Sequence, residues 1–217
     1  KQPYAVYLYR SSGTLTLEAS TTARVMSEGL QVKSGATIRR FLGLVAPIVR
    51  VGAAVGPIDC PDQVRIAYRG MVRTLKKSCP YASITQQTIP DFTYGWVRWG
   101  HSGTGGLLPT DFEIEFLAMA GSKIEWESRV QAYGYLVHGA IVDDQIMERV
   151  GFGSDRTNIW MEHRHNFQLP IGEGLHSIVP VVKSAFTGSS GIYMNFWSEG
   201  SGDAWSRAQV DGELKCL

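Results

Sequence analysis

Apolar and polar residues alternate along much of the chain, most clearly in residues 29–45. Within this segment Leu30 and Val32 alternate with polar neighbours, and a second apolar run follows the turn signal Ser34-Gly35. A period of two residues is typical of a half-buried strand, and glycine adopts turn conformations that other residues avoid. The segment therefore predicts two short strands joined by a tight turn.

The same alternation recurs elsewhere in the chain. Residues 4–20 contain two alternating runs around the turn signal Ser11-Ser12-Gly13, which is a hairpin signature. In the clearest strand, residues 112–119, Phe112 and Phe116 share the inward face while the intervening glutamates point to water. Short strands joined by turns are therefore the dominant predicted element.

The number of such segments, together with 24 glycines, determines the predicted fold class. We predict an all-β protein, an antiparallel β-sandwich of jelly-roll type with few or no helices. Residues 141–150 are ambiguous, because their apolar spacing is near that of a helix while glycines flank them. The chain shows no strict repeat and no break in composition, so we predict a single β-sandwich domain over residues 1–217.

Composition limits the classes of partner. Hydrophobic residues make up 44% of the chain and charged residues 19%, which is enough apolar sequence for a sizeable core. The net charge is +1 and the basic residues form no large cluster, so we predict no nucleic-acid partner. No apolar run approaches the roughly 20 residues that cross a bilayer, so we predict no membrane span.

Three histidines are the candidate metal ligands. His163 and His165 stand two residues apart in a predicted strand, followed by His176, and this partly resembles the metal motif of cupins, which are double-sheet β folds. The spacing departs from the cupin pattern, because Glu173 is too far away and His176 is displaced by one residue. A slip of one residue in a strand reverses the face. Packed or solvated histidines are the favoured interpretation, and no cofactor is predicted.

Candidate catalytic groups are equally incomplete. Ser102 fails the nucleophile pattern GxSxG, because Thr104 stands where the second glycine is required. Glycoside cleavage needs two carboxylates across a sugar site. Glu113 and Glu115 alternate with core positions and so face water, and Asp143-Asp144 fits a turn or a cap. We therefore predict no catalytic residue and no enzyme activity.

Aromatic residues are the more useful candidates for binding. The set comprises Trp160, Tyr193, Asn195 and Trp197, which lie on strand faces opposite other apolar residues. Aromatic side chains offer large contact areas with a polar group, which suits sugar rings and protein partners. The alternative is a sandwich core together with a subunit interface, and we favour it for most of the aromatic residues.

Three blocks of sequence suggest a family. They are the strand Tyr7-Leu8-Tyr9 with residues 15–18 and 29–43, then residues 62–74, and then residues 92–98 with residues 112–116. In style and order these blocks resemble a β-rich module of tailed-bacteriophage virion proteins, chiefly tail fibres and spikes. The resemblance extends over about residues 1–140. It implies a structural part of the virion, often trimeric and sometimes bearing the site for the host receptor.

The leading hypothesis combines this resemblance with the absence of a catalytic motif. It is a fibre or spike domain of a virion that forms a homotrimer, contacts other virion proteins and attaches to a glycan or protein receptor on the host cell. The alternative hypothesis is an enzyme, either a polysaccharide depolymerase or a cupin-like metal-dependent protein.

Overall fold

The computed structural model describes residues 2–47, 64–78, 86–89, 96–99, 112–133, 136–152, 161–184, 192–195 and 209–217. In these ranges every regular element is a strand, and all the strand pairs are antiparallel. The predicted all-β class is confirmed. Across the same ranges, no helix has the length and apolar character needed to cross a membrane.

The first sheet is formed by the amino-terminal strands. They are β1 (Tyr4–Ser11), β2 (Thr14–Ser20), β3 (Arg24–Ser27), β4 (Leu30–Lys33), β5 (Ala36–Pro47) and β6 (Val64–Tyr68). Their order is β2-β1-β5-β4-β3, and β6 pairs with the second half of β5. Both predicted hairpins of this region are confirmed. In the β4–β5 turn Gly35 has a φ of 75°, which glycine adopts without steric cost.

The rest of the chain forms two further sheets. The strands are β7 (Val72–Ser78), β8 (Gln86–Ile89), β9 (Val97–Arg98), β10 (Ile114–Ala118), β11 (Ser122–Tyr133), β12 (Leu136–Val142), β13 (Gln145–Phe152), β14 (Met161–Ile171), β15 (Gly174–Ser184), β16 (Ile192–Asn195) and β17 (Gln209–Lys215). One sheet has the order β7-β17-β11-β14, and the other has the order β10-β15-β12-β13. The short strands β8, β16 and β9 extend these sheets.

This strand order defines a jelly roll. When the eight long strands are numbered along the chain, the two sheets have the orders 1-8-3-6 and 2-7-4-5, which is the double Greek-key connectivity of that fold. The large buried side chains between the sheets include Phe112, Phe116, Ile124 and Leu214. The predicted jelly-roll sandwich is therefore confirmed, with the first sheet as an addition to it.

The first sheet packs on the jelly roll through one of its faces. Leu44 and Ala67 belong to the same buried cluster as Phe116, and β5 and β6 contact β10. Arg65 of β6 pairs with the Glu115 carboxylate at 2.8 Å and donates to the Glu115 carbonyl at 3.0 Å. The prediction of a single domain over residues 1–217 stays a prediction.

The connection between the first sheet and the jelly roll is fixed by the carboxyl-terminal strand. The Gly70 amide donates to the Cys216 carbonyl at 2.7 Å, and the Cys216 amide donates to the Met71 carbonyl at 2.8 Å. Gly70 and Met71 form the turn between β6 and β7, and the Cys216 thiol is buried and free. The end of β17 therefore holds the turn that joins the two parts of the fold.

A helical interpretation of residues 141–150 is wrong. The segment contains the end of β12, a two-residue turn and the start of β13. Asp143 and Asp144 occupy the turn with φ of 48° and 67°. Two successive positive φ angles match the right-handed twist of a hairpin, and aspartate tolerates them. The prediction that Asp143-Asp144 forms a turn or a cap is therefore confirmed, whereas the helical spacing of the flanking apolar residues was misleading.

Candidate functional site: the outer face of the first sheet

The first sheet has one face that packs on the jelly roll and one that is exposed, which we call the outer face. Cross-strand pairs place Leu17, Leu8, Arg40, Val32 and Val25 in one row across all five strands of the main path, although Val32 itself is buried. Residues directly opposite each other on neighbouring strands lie on the same face. The exposed apolar side chains of the outer face are Tyr4, Leu15, Leu17, Val25, Leu30, Ile38, Leu42, Ile66 and Tyr68.

The outer face is unusually apolar for a surface that faces water. Antiparallel sheets with one solvated face normally alternate between hydrophobic residues inside and polar residues outside. Here Leu15, Leu17 and Ile38 are exposed by 70%, 65% and 73%. Among the described strand residues, the charged side chains of this face are Arg10 and Arg40. The arrangement offers contact area for a partner.

A glycine allows β6 to extend this face. Gly43 of β5 pairs with Tyr68 of β6, and a Cβ atom at Gly43 would lie 2.5 Å from the Ala67 carbonyl oxygen. That distance is too short for any side chain. Residue 43 must therefore lack a side chain if Ile66 and Tyr68 are to join the outer face.

A charged cluster lies on the opposite face, at the β2 side of the sheet. Glu18 accepts hydrogen bonds from Lys33 and Arg39, and the Arg39 guanidinium lies over the ring of Tyr9. The hydrogen bond from Lys33, followed by the nearby positive charges, lowers the pKa of the Glu18 carboxyl, although burial opposes this shift. Glu18 thus ties β2 to β4 and β5 in its ionised form.

This pKa shift predicts a pH dependence of stability. A carboxyl whose pKa is lower in the folded state stabilises it above the unfolded pKa, and this contribution is lost as the pH falls through the folded pKa. We expect the melting temperature of Glu18→Gln to fall less than that of the parent between about pH 5 and about pH 3. The matched control is Glu28→Gln, since Glu28 has no ion pair among the described residues. Parallel curves for the parent and Glu18→Gln would contradict the assignment.

Two turns of the jelly roll meet at a polar junction, formed by Asp143, Gly172 and His176. His176 Nδ1 lies 2.5 Å from the Asp143 carboxylate, and His176 Nε2 lies 3.1 Å from the Gly172 carbonyl oxygen. The second Asp143 oxygen accepts from the Ser177 amide at 2.9 Å. The imidazole is thus held between the β12–β13 turn and the β14–β15 turn.

The junction is continued into the first sheet by an ion pair. Glu173, next to Gly172, pairs with Arg24 of β3. The Arg24 guanidinium also lies over the Phe41 ring, 4.2 Å from its centroid. This contact fixes β3 against the jelly roll on the side opposite the outer face.

Two of the three predicted metal ligands, His165 and His176, lie on different strands and in different sheets. His165 is buried on β14 opposite Ser128, whereas His176 belongs to the polar junction on β15. The side chain of His163 lies outside the described residues. Within the described part of the chain, no three His, Cys, Asp or Glu side chains form a group that could hold a metal ion. A site that includes His163 stays a prediction.

The candidate carboxylates are engaged by basic side chains. Glu113 pairs with Arg98 at 3.1 Å, and Glu115 pairs with Arg65 at 2.8 Å. Asp143 is bound to His176 in the polar junction. The candidate serine, Ser102, lies outside the described residues. These carboxylates therefore have structural partners in the described part of the chain.

The predicted receptor residues fall largely outside the described part of the chain. Trp160 and Trp197 are not among the described residues. Tyr193 and Asn195 lie on β16, where their backbones pair with Tyr133 and Gln131. Their side chains are also outside the described part, so the receptor set stays a prediction.

The residues that sequence patterns missed are those of the outer face. In β1 both alternating sets are apolar: Tyr4 and Leu8 in one set, Tyr7 and Tyr9 in the other. An apolar residue at nearly every position was the available signal, because a strand with one solvated face should have polar residues in one set. Only the buried set was expected to be apolar.

The site and fold define the chain as an antiparallel jelly-roll sandwich with an added apolar sheet. No family model and no curated protein matches the sequence. Among solved structures, it is similar to Arthrobacter globiformis T6 isomalto-dextranase complexed with panose, at 12% identity and a TM-score of 0.28. It is also similar to a family 35 carbohydrate binding module from an environmental isolate, at 14% identity and a TM-score of 0.22.

The extent of these similarities differs between the two structures. The match covers 70% of this chain and 27% of the isomalto-dextranase, so the chain spans about a quarter of that protein. For the binding module it covers 64% of this chain and 90% of the module. Both TM-scores are below 0.5, so the fold is assigned from strand order and register alone.

Proposed function

We propose that the chain is a non-enzymatic attachment domain of a virion fibre or spike. It assembles as a homotrimer and binds a host-surface receptor, for which a glycan is the favoured class. The observation that supports this proposal is the apolar outer face of the first sheet. Exposed apolar surfaces of this kind are typical of interaction sites, because the contact of a large apolar patch with water is unfavourable.

Receptor binding is assigned to the second half of the chain. The candidates are Trp160, Tyr193, Asn195 and Trp197, since aromatic rings suit stacking on sugars and amides suit their hydroxyl groups. Binding residues often gather at the ends of strands and on loops held by a rigid frame, and the jelly roll is such a frame. Attachment and assembly would then use different regions of the molecule.

Two measurements test the proposal: the mass of the oligomer and its binding to bacterial surface polysaccharides. Light scattering should give three times the chain mass of 23.9 kDa over a wide range of concentration. The chain should bind one or more immobilised bacterial surface polysaccharides, and substitution of Trp160 and Trp197 by alanine should abolish that binding. A monomer that binds neither polysaccharides nor bacterial cells would contradict the proposal.

The enzyme alternative is tested separately. Release of reducing sugar from bacterial capsule would establish a depolymerase. Metal analysis of the purified chain, compared with a His163→Ala/His165→Ala double variant, tests the cupin-like alternative. Engagement of Glu113, Glu115 and Asp143 by basic side chains favours the non-enzymatic proposal.

A further inference from the structure

The size of the outer face is the first argument for a large partner. Strands lie about 4.8 Å apart and rise about 3.4 Å per residue. Five strands of about seven residues therefore cover a plane of roughly 570 Å², and its side-chain surface is larger because it is corrugated. A specific protein interface removes about 800 Å² of accessible surface from each partner. The outer face is thus of the order needed for a stable protein contact.

The charge of the outer face is the second argument. Its rows include Leu17, Val25 and Ile66, and among its described strand residues the only charges are Arg10 and Arg40. Arg10 donates to the Gly13 carbonyl at 3.0 Å, at the end of its hairpin. A polar partner would find few hydrogen-bonding groups here. Sheet surfaces that insert into lipid interfaces are expected to have many basic residues, as amphipathic helices do.

The shape of the outer face is the third argument. Two twisted sheets pack face to face when their strands cross at about 30°, an angle that results from their common twist. A second copy of the same sheet has the same twist and the same apolar rows. A second copy therefore matches the outer face both in twist and in apolar character.

We infer that the outer face of the first sheet is the surface through which copies of this chain associate. The apolar rows of one copy pack against those of another, and Leu17 and Ile38 are buried in the contact. Full face-to-face packing of the outer face on its own copy is a twofold contact, whereas in the proposed homotrimer each outer face would be shared between its two neighbours about the threefold axis. The inference rests on one part of the proposed function, namely that the chain self-associates.

The experiment introduces a charge into the outer face without disturbing the core. Leu17→Glu and Ile38→Glu are suitable because both side chains are more than 60% exposed in the single chain. The matched control is Val72→Glu, which changes a strand residue that is 62% exposed on the jelly roll, opposite Lys215. Circular dichroism and melting temperature establish that all three variants fold like the parent.

Sedimentation velocity over a concentration series gives the result. We expect the parent and Val72→Glu to form the same oligomer. An unpaired charge buried in an apolar contact costs several kcal/mol, so Leu17→Glu and Ile38→Glu should weaken association by about 100-fold or more. The double variant should be a monomer at every concentration tested.

Three outcomes would overturn the inference, and they can be told apart. If the parent is an oligomer and the outer-face variants keep its mass, the contact lies elsewhere, but the proposed self-association survives. If the parent is a monomer, the proposed homotrimer and the proposed contact through the outer face both fail. If a monomeric parent floats with vesicles of phosphatidylcholine and phosphatidylglycerol while Leu17→Glu does not, the outer face binds lipid instead.

Discussion

Replacing Gly43 by alanine is expected to lower the free energy of unfolding by about 2–3 kcal/mol, at the upper end of the cost of overpacking. The new Cβ atom would lie 2.5 Å from the Ala67 carbonyl oxygen and 3.0 Å from the Tyr68 Cβ atom. Because the closest atom belongs to the backbone, no rotation of a side chain relieves the clash. The β5–β6 pair must separate, and urea denaturation followed by tryptophan fluorescence measures the cost.

A matched alanine substitution provides the control. Gly172 also lacks a positive φ, and a Cβ atom there would meet no atom within 4 Å. Gly172→Ala should therefore change stability by no more than about 0.5 kcal/mol, as is usual for surface substitutions. Equal stabilities for the two variants would contradict the close packing of β6 on β5. Gly43→Ala should also weaken self-association, because Ile66 and Tyr68 of the outer face belong to β6.

Truncating Phe116 to alanine is expected to lower the free energy of unfolding by about 3–5 kcal/mol in total. This loss is larger than the one expected for Gly43→Ala. Phe116 is fully buried in the jelly roll, and its backbone pairs with His176 on β15. Its ring centroid lies 5.7 Å from that of His176. Phe116→Ala therefore leaves a cavity in the core and removes the ring against which His176 of the polar junction lies.

The conservative variant separates these two effects. Phe116→Leu keeps most of the apolar volume and should cost clearly less than Phe116→Ala in denaturant unfolding. Both variants remove the ring, so both should change the NMR chemical shifts of the His176 imidazole. A loss below about 1 kcal/mol in Phe116→Ala would show that Phe116 is not a core residue.

Local alternation was sufficient to predict much of the fold. The predicted inward direction of Phe112 and Phe116 is correct, as both are buried. The hairpins on either side of residues 11–13 and 34–35 are also correct. These features depend on neighbouring residues only, so a single segment contains all the information that they require.

The outer face could not be predicted in the same way. Alternation in β1 separates Tyr4 and Leu8 from Tyr7 and Tyr9, but both sets are apolar. Which set is buried depends on where the jelly roll packs, and that is a property of the whole chain. Leu15 and Leu17 share a face of β2, and that face is the exposed one.

The contacts of the polar junction could not be predicted from the sequence for a related reason. Asp143 and His176 are 33 residues apart in the chain, and Arg24 and Glu173 are 149 apart. Neither pair has a recognisable spacing, because strand order alone brings these side chains together. Only the positions of the turns, such as Asp143-Asp144, could be anticipated from residue type.

The bonds of Cys216 with Gly70 and Met71 have a mechanical consequence. A pull on the end of β17 acts along a strand that lies between β7 and β11, so many hydrogen bonds must shear together. The same pull reaches the turn at Gly70 directly, and from there it reaches β6 and the outer face. A load applied at this end of the chain would thus pass along paired backbones from β17 to the first sheet.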